Sequence, residues 1–92
     1  MSRIVNRTVQ VYTARAGRPA AYRWAGHWHR VAEILDAWVY REPWWEQRFL
    51  PERGPDNAPE RTFYRIIDQA GAVVELMHRD PEGDWRLYRM YD

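Results

Sequence analysis

The 92-residue chain contains no lysine and no cysteine, so all 14 of its basic residues are arginine. Without cysteine, a disulfide framework, thiolate catalysis and zinc-finger patterns are excluded. The formal net charge is only +1, so the sequence lacks the basic excess that a dominant phosphate-binding role would show. No apolar run approaches the roughly 20 residues of a membrane-spanning helix, and the start MSRIVNRTVQ has no signal-peptide apolar region. We therefore expect a cytoplasmic protein with no membrane partner.

Aromatic residues, by contrast, are plentiful. They make up 15% of the chain, which is more than the core of a domain this small needs. The length fits a single domain, residues 1–92. Because tryptophan and tyrosine are favoured at interfaces, we expect some of them on a binding surface.

The N-terminal half shows strand and turn patterns. Residues 8–13 (TVQVYT) alternate valine with polar residues and predict a first strand, which ARAGRP ends. The following AYRWAGHWHRV has two aromatic runs around a small turn and predicts a hairpin. Its loop pair is either Ala25–Gly26 or Gly26–His27, and the pattern does not decide between them.

Residues 28–41 are ambiguous in period. Val31, Ile34, Leu35 and Trp38 have helical spacing, but the preceding hairpin signal favours a strand. No N-cap residue precedes Val31. We interpret the segment as an extended strand with a bulge near Asp36 as an option, and a short helix is the alternative.

The next segment contains two adjacent tryptophans, Trp44 and Trp45, followed by the proline-rich run LPERGPDNAPE, which predicts a loop. Successive strand side chains point to opposite faces. We therefore expect one indole in the core, with Trp45 preferred, and the other on a binding surface.

The C-terminal third carries two similar turn signals, DQAG and DPEG, each with an aspartate three residues before a glycine. This spacing predicts a type I turn closed by a left-handed glycine, and so a three-stranded meander over residues 61–91. Pairing Asp68 with Ala72 and Asp80 with Asp84 sets the register. One face, the predicted core, then holds Tyr64, Ile66, Val74, Leu76, Tyr88 and Met90. The other carries a cross-strand row of opposite charges, Arg65, Glu75 and Arg89, with apolar neighbours.

These patterns together predict an all-β fold. We expect a small antiparallel barrel of five to six strands, SH3-like, with the C-terminal meander as its most regular part.

Catalytic and metal signals are weak. His27 and His29 have workable ligand spacing, but neither His78 nor any other residue is placed as a third ligand. Glu75 has two arginine neighbours in the predicted register, which favours an ionised structural carboxylate over a general acid. The sequence has no nucleophile motif and no phosphate-binding glycine loop. We expect neither an enzyme nor a cofactor or metal site.

Three stretches carry a family resemblance: YRWAGHWHRVAEILDAWVYREPWW, RTFYRIIDQAGAVVELMHR and GDWRLYRMYD. Over roughly residues 20–92 the chain resembles a bacterial family of small uncharacterised domains, found alone or as the C-terminal segment of ImuB-type proteins, which are degenerate relatives of Y-family DNA polymerases. Its most specific elements are the paired tryptophans, RTFY and WRLYRMYD. The resemblance implies an accessory role in translesion synthesis or DNA repair.

We therefore expect a non-catalytic protein-interaction module with a partner in a replication or repair complex. The alternative is a single-stranded nucleic-acid binder, because arginines interleave with aromatic residues as in proteins that stack bases. The candidate binding residues are Trp44, Trp45, Arg65, Glu75, Trp85 and Arg89.

Overall fold

The computed structural model of the chain describes residues 2–41, 60–80 and 82–91. Its strands are β1 (Ser2–Val9), β2 (Val11–Thr13), β3 (Pro19–Trp24), β4 (His27–Arg41), β5 (Glu60–Asp68), β6 (Val73–Asp80) and β7 (Trp85–Tyr91). A single 3₁₀ turn, Arg15–Gly17, connects β2 to β3. No helix in these ranges is long and apolar enough to cross a membrane. The predicted all-β class is confirmed.

The seven strands of the described residues form one antiparallel sheet in the order β1-β7-β6-β5-β4-β3-β2. β1 and β2 are the two edges of this sheet, although only Gln10 separates them in the chain. The edges must therefore meet at Gln10, whose carbonyl accepts a 2.9 Å hydrogen bond from the N–H of Arg23 on β3. The sheet curls into a half-barrel. This agrees with the predicted small barrel, although there are seven strands and not five or six.

The predicted first strand is wrong in its extent. Residues 8–13 are divided at Gln10 between β1 and β2, because the chain there passes from one sheet edge to the other. β1 also extends back to Ser2. Its pairing with β7 is irregular around Asn6, whose φ is 49°. That irregularity interrupts the alternation of side chains, so the sequence pattern does not reveal this part of the strand.

β3 and β4 form the predicted hairpin. Trp24 pairs with His27, so the loop pair is Ala25 and Gly26. Their φ angles are 54° and 80°, and a type I′ turn requires positive φ at both positions.

β4 is one extended strand of 15 residues, so the strand interpretation of residues 28–41 is confirmed and the helix alternative is wrong. Its pairing with β5 shifts between Val31 and Glu33 and again between Ile34 and Asp36. The second shift is the irregularity that the sequence predicts near Asp36. Two shifts close together explain the helix-like spacing of the apolar residues, because each shift breaks the period of two.

The turn between β5 and β6 is the predicted one. The N–H of Gly71 donates to the carbonyl of Asp68, and the N–H of Asp68 donates to the carbonyl of Ala72, both at 2.9 Å. Gly71 has the expected positive φ, 91°. As a result Arg65 pairs with Glu75, and the predicted β5–β6 register is confirmed throughout.

The turn between β6 and β7 closes one residue earlier than predicted. The N–H of Arg79, not that of Asp80, donates to the carbonyl of Asp84 at 3.0 Å. The guanidinium of Arg79 also donates two 2.7 Å hydrogen bonds to the Asp84 carboxylate. This side-chain clamp favours closure at Arg79, which leaves four residues in the loop and not the predicted three, and the local backbone signal in DPEG does not include it.

The predicted register of β6 with β7 is therefore wrong near the turn and correct farther from it. Near the turn, Leu76 pairs with Leu87 and not with the predicted Tyr88. A bulge between Glu75 and Leu76 then restores the predicted pairing of Glu75 with Arg89. Tyr88 is the extra residue at this bulge.

The core lies inside the curl of the sheet. Its fully buried residues are Tyr22, Ile66, Val74, Leu76 and Leu87. From the predicted core face, Tyr64 and Met90 are partly buried and pack against this cluster. The prediction that Tyr88 belongs to it is wrong, because the bulge places Leu87 there and leaves Tyr88 on the opposite face of the sheet.

Candidate binding groove

The face of the meander opposite the core forms an open groove. Ile66 points into the core, so Arg61, Phe63 and Arg65, at odd-numbered positions of β5, point the other way. The groove has a volume of about 660 Å³. It is lined by Asn6, Trp38, Val39, Tyr40, Arg61, Phe63, Arg65, Glu75, Met77, Tyr88, Arg89 and Tyr91. We call this set the groove.

Aromatic rings form the centre of the groove. Trp38 and Phe63 are cross-strand partners and stack with centroids 5.4 Å apart and planes at 7°. Tyr88 meets Phe63 edge to face at 5.3 Å. The guanidinium carbon of Arg65 lies 5.3 Å from the Trp38 ring centre and 5.5 Å from that of Tyr91. The packed rings therefore form a rigid apolar surface with basic groups at its edge.

Glu75 is the buried charge of the groove, with only 4% of its surface exposed. Its Oε2 accepts a 3.4 Å hydrogen bond from Arg65 and another from the hydroxyl of Tyr91. Burial opposes the charge of Arg65, but Tyr91 and Glu75 outweigh it and raise the pKa of the guanidinium. The predicted pairing of Arg65 with Glu75 is thus an actual ion pair.

Arg89 does not complete the predicted row of ion pairs. It is opposite Glu75 in the register, yet no hydrogen bond or ion pair joins the two side chains within the described residues. The Arg89 guanidinium instead lies 6.0 Å from the ring centre of Tyr88. The hydroxyl of Tyr91 occupies the place at Glu75 that the sequence assigned to a second arginine.

Three groove arginines have a buried nitrogen without a hydrogen-bond partner: Arg61, Arg65 and Arg89. A buried donor without a hydrogen-bond partner costs about 1–3 kcal/mol of stability. Arg65 has Glu75 as its counterion. Within residues 2–41, 60–80 and 82–91, neither Arg61 nor Arg89 has an acidic partner. Among the described residues, the groove therefore contains two positive charges that no acidic side chain compensates.

The other candidates from the sequence lie elsewhere. Trp85 packs against the hydrophobic core, with its ring 5.7 Å from Tyr64 and 4.8 Å from His78. It lines a separate, smaller recess of about 380 Å³. Trp44 and Trp45, together with the predicted loop that follows them, lie outside the described residues, as does the assignment of Trp45 to the core.

The sequence did not identify several groove residues, among them Trp38, Tyr40 and Arg61. Arg61 shares the parity of Arg65 on β5, so the confirmed β5–β6 register would have found it. Trp38 and Tyr40 pair with Phe63 and Arg61. Because a long connection joins β4 to β5, no turn signal sets that register, and the sequence could not place them.

Two histidines, His29 and His78, pack against aromatic side chains of the fold. His29 stacks on Tyr22 at 5.0 Å, and its Nδ1 lies 3.9 Å from the Asp68 carboxylate. His78 packs against Trp85. Within the part of the chain that the structure describes, no group of three histidine, cysteine or acidic residues could hold a metal ion.

Comparison with known proteins gives one family. The family described as "Domain of unknown function (DUF6504)" matches residues 1–92, so the chain belongs to it. Neither the curated proteins nor the solved structures contain a match.

Proposed function

We propose that this member of the DUF6504 family is a non-catalytic protein-interaction module that binds a partner protein through the groove. The supporting observation is the pair of half-buried arginines, Arg61 and Arg89, which line the groove beside its aromatic rings. Neither arginine has an acidic partner among the described residues. Arginine and large aromatic residues are the types that contribute most to protein–protein affinity. The groove also has the mixed character of an interface, an apolar centre with a charged margin.

A binding role fits the groove better than catalysis does. Glu75 is the groove's buried carboxylate, and its Oε2 is engaged by both Arg65 and Tyr91. A carboxylate oxygen that already accepts hydrogen bonds from two neighbouring side chains is better suited to hold those side chains in place than to act on a substrate.

The biological setting follows from the resemblance to the C-terminal segments of ImuB-type proteins. On that basis we assign the module an accessory role in the DNA damage response or in translesion synthesis, in the cytoplasm. The partner would be a component of a replication or repair complex.

Affinity capture from bacterial cells, with and without DNA damage, tests this function. The tagged wild type and an Arg18→Ala control should retain the same replication or repair protein, because Arg18 is exposed and does not line the groove. An Arg61→Ala/Arg89→Ala variant that is still folded should lose it. Capture of the same proteins by all three forms would contradict a role for the groove.

Single-stranded nucleic acid is the second candidate, because arginines and aromatic rings share the groove. Against it, Phe63 already contacts both Trp38 and Tyr88, which leaves less ring surface for stacked bases. Fluorescence anisotropy with labelled single strands over a salt series separates the two. Micromolar binding that weakens steeply with salt and requires Arg61 and Arg89 would favour nucleic acid.

A further inference from the structure

We propose, resting on the interaction role above, that the groove recognises an extended partner segment in which two acidic side chains flank an apolar one, in the pattern acidic–x–apolar–x–acidic. The groove's charge, the positions of its two unpaired arginines and the apolar residues between them point to this chemistry.

The charge of the groove favours an acidic partner. Among the described residues that line it are three guanidinium groups, those of Arg61, Arg65 and Arg89, and one carboxylate, that of Glu75, which leaves an excess of two positive charges. Glu75 neutralises Arg65. Arg61 and Arg89 have no acidic partner among the described residues, so each is available to a carboxylate from outside.

The register fixes how far apart these two arginines lie. Arg89 is opposite Glu75, which is opposite Arg65, four positions along β5 from Arg61. With about 3.4 Å per residue along a strand and about 4.8 Å between strands, the backbones of Arg61 and Arg89 are about 17 Å apart. An extended segment covers about 14 Å between its residues i and i+4, and arginine and carboxylate side chains can bridge the difference.

Apolar residues occupy the row between the two arginines. Phe63 is two positions from both Arg61 and Arg65 and pairs with Met77, and it also stacks on Trp38. In an extended segment, residues i, i+2 and i+4 point to the same face. When its acidic side chains at i and i+4 reach the arginines, its side chain at i+2 therefore meets this apolar row.

Two labelled peptides serve as probes. The first is an acetylated nine-residue peptide of glycine and serine in which two glutamates flank a leucine at the stated spacing. The second is the chain's own residues 40–48, which have this pattern in Glu42, Trp44 and Glu46. Matched peptides with both glutamates changed to glutamine, or with the apolar residue changed to serine, are the controls.

Binding is measured by fluorescence anisotropy with the full chain. We expect a dissociation constant below about 100 µM for at least one probe, with at least a tenfold loss when either element of the pattern is removed from it. Arg61→Gln and Arg89→Gln should each weaken binding at least tenfold, whereas Arg18→Gln, which changes the charge equally, should not. Arg61→Glu should restore affinity for a peptide whose matching glutamate is replaced by lysine.

The outcomes separate this inference from the proposed function. If neither probe binds, or if the glutamine peptides bind equally well, the acidic pattern is overturned. The proposed interaction module still stands in that case if Arg61→Ala/Arg89→Ala abolishes capture of the cellular partner. If the peptides fail and single-stranded DNA binds through Arg61 and Arg89, both are overturned. Thermal melts of every variant establish that each is folded before its affinity is compared.

Discussion

The hydroxyl of Tyr22, on β3, donates a 2.8 Å hydrogen bond to the carboxylate of Asp68, at the end of β5. Both residues are almost inaccessible to solvent. The same carboxylate accepts hydrogen bonds from the N–H groups of Ala70 and Ala72. Asp68 therefore stabilises the β5–β6 turn and links that turn to the N-terminal part of the sheet.

Replacing Tyr22 with phenylalanine should destabilise the protein by about 1–3 kcal/mol. The substitution removes the hydroxyl and leaves the buried carboxylate of Asp68 with one donor fewer, while the ring remains in the core. Urea denaturation followed by tryptophan fluorescence measures the change. Tyr12→Phe is the control, since Tyr12 is 68% exposed and should change stability by less than about 0.5 kcal/mol. Equal effects of the two would show that the Tyr22–Asp68 bond does not stabilise the fold.

The stability should fall in acid because of Asp68. Burial opposes ionisation of this carboxyl, but hydrogen bonds from Tyr22, Ala72 and Ala70 outweigh it and lower the pKa of Asp68. A lowered pKa means that the stabilisation is present above the unfolded value of about 3.9 and is lost as the pH falls through the lower folded value.

Denaturation at a series of pH values checks this expectation. Asp68→Asn should be less stable than the wild type at pH 7, and its stability should depend less on pH below about 4. Glu33→Gln, which changes an exposed carboxylate, is the control for the loss of one acidic group. An Asp68→Asn profile parallel to that of the wild type would contradict the role of this carboxylate.

The bulge at Tyr88 predicts opposite sensitivities for two neighbouring residues. Leu87 is fully buried, so Leu87→Ala should cost about 2–5 kcal/mol through lost packing and a cavity. Tyr88 is half-buried in the groove, so Tyr88→Ala should cost less than Leu87→Ala. Thermal melts of both variants decide the order. The reverse order would support the register predicted from the sequence, in which Tyr88 faces the core.

Glu75 should be the most sensitive charge of the groove. Glu75→Gln removes the counterion of Arg65 and weakens a hydrogen-bond acceptor that is almost fully buried. We expect a loss of about 1–3 kcal/mol, measured by urea denaturation. Glu33→Gln again provides the exposed control. If Glu75→Gln is neutral, the ion pair with Arg65 does not stabilise the groove.

The meander shows how far the sequence could predict this structure. The DQAG signal set the β5–β6 register correctly because its backbone hydrogen bonds and its left-handed glycine are all local. The DPEG signal did not fix the β6–β7 register, since a side-chain clamp between Arg79 and Asp84 shifts the closure by one residue. A bulge then reverses that shift, and no residue type in β7 identifies it beforehand.

The groove was also predictable only in part, because the sequence reveals contacts across a short turn and does not reveal contacts between distant segments. Arg65 and Glu75 lie on strands joined by a short turn, so the sequence brought them together correctly. The contact of Trp38 with Phe63, and that of Tyr22 with Asp68, join segments that are distant in the chain. Such contacts depend on how the whole sheet curls, and turn chemistry does not determine it.

The last prediction is a stabilising substitution at Ala25, in the turn between β3 and β4. Ala25 has a φ of 54°, a left-handed conformation that asparagine tolerates better than alanine. Ala25→Asn should stabilise the protein by about 0.5–1 kcal/mol, which is a rise in melting temperature of about 2–8 °C. Gly26→Ala is the opposite control: nothing lies within 4 Å of an added β-carbon, but the φ of 80° disfavours any side chain, so the melting temperature should fall. If neither substitution changes it, the hairpin does not have the type I′ turn in solution.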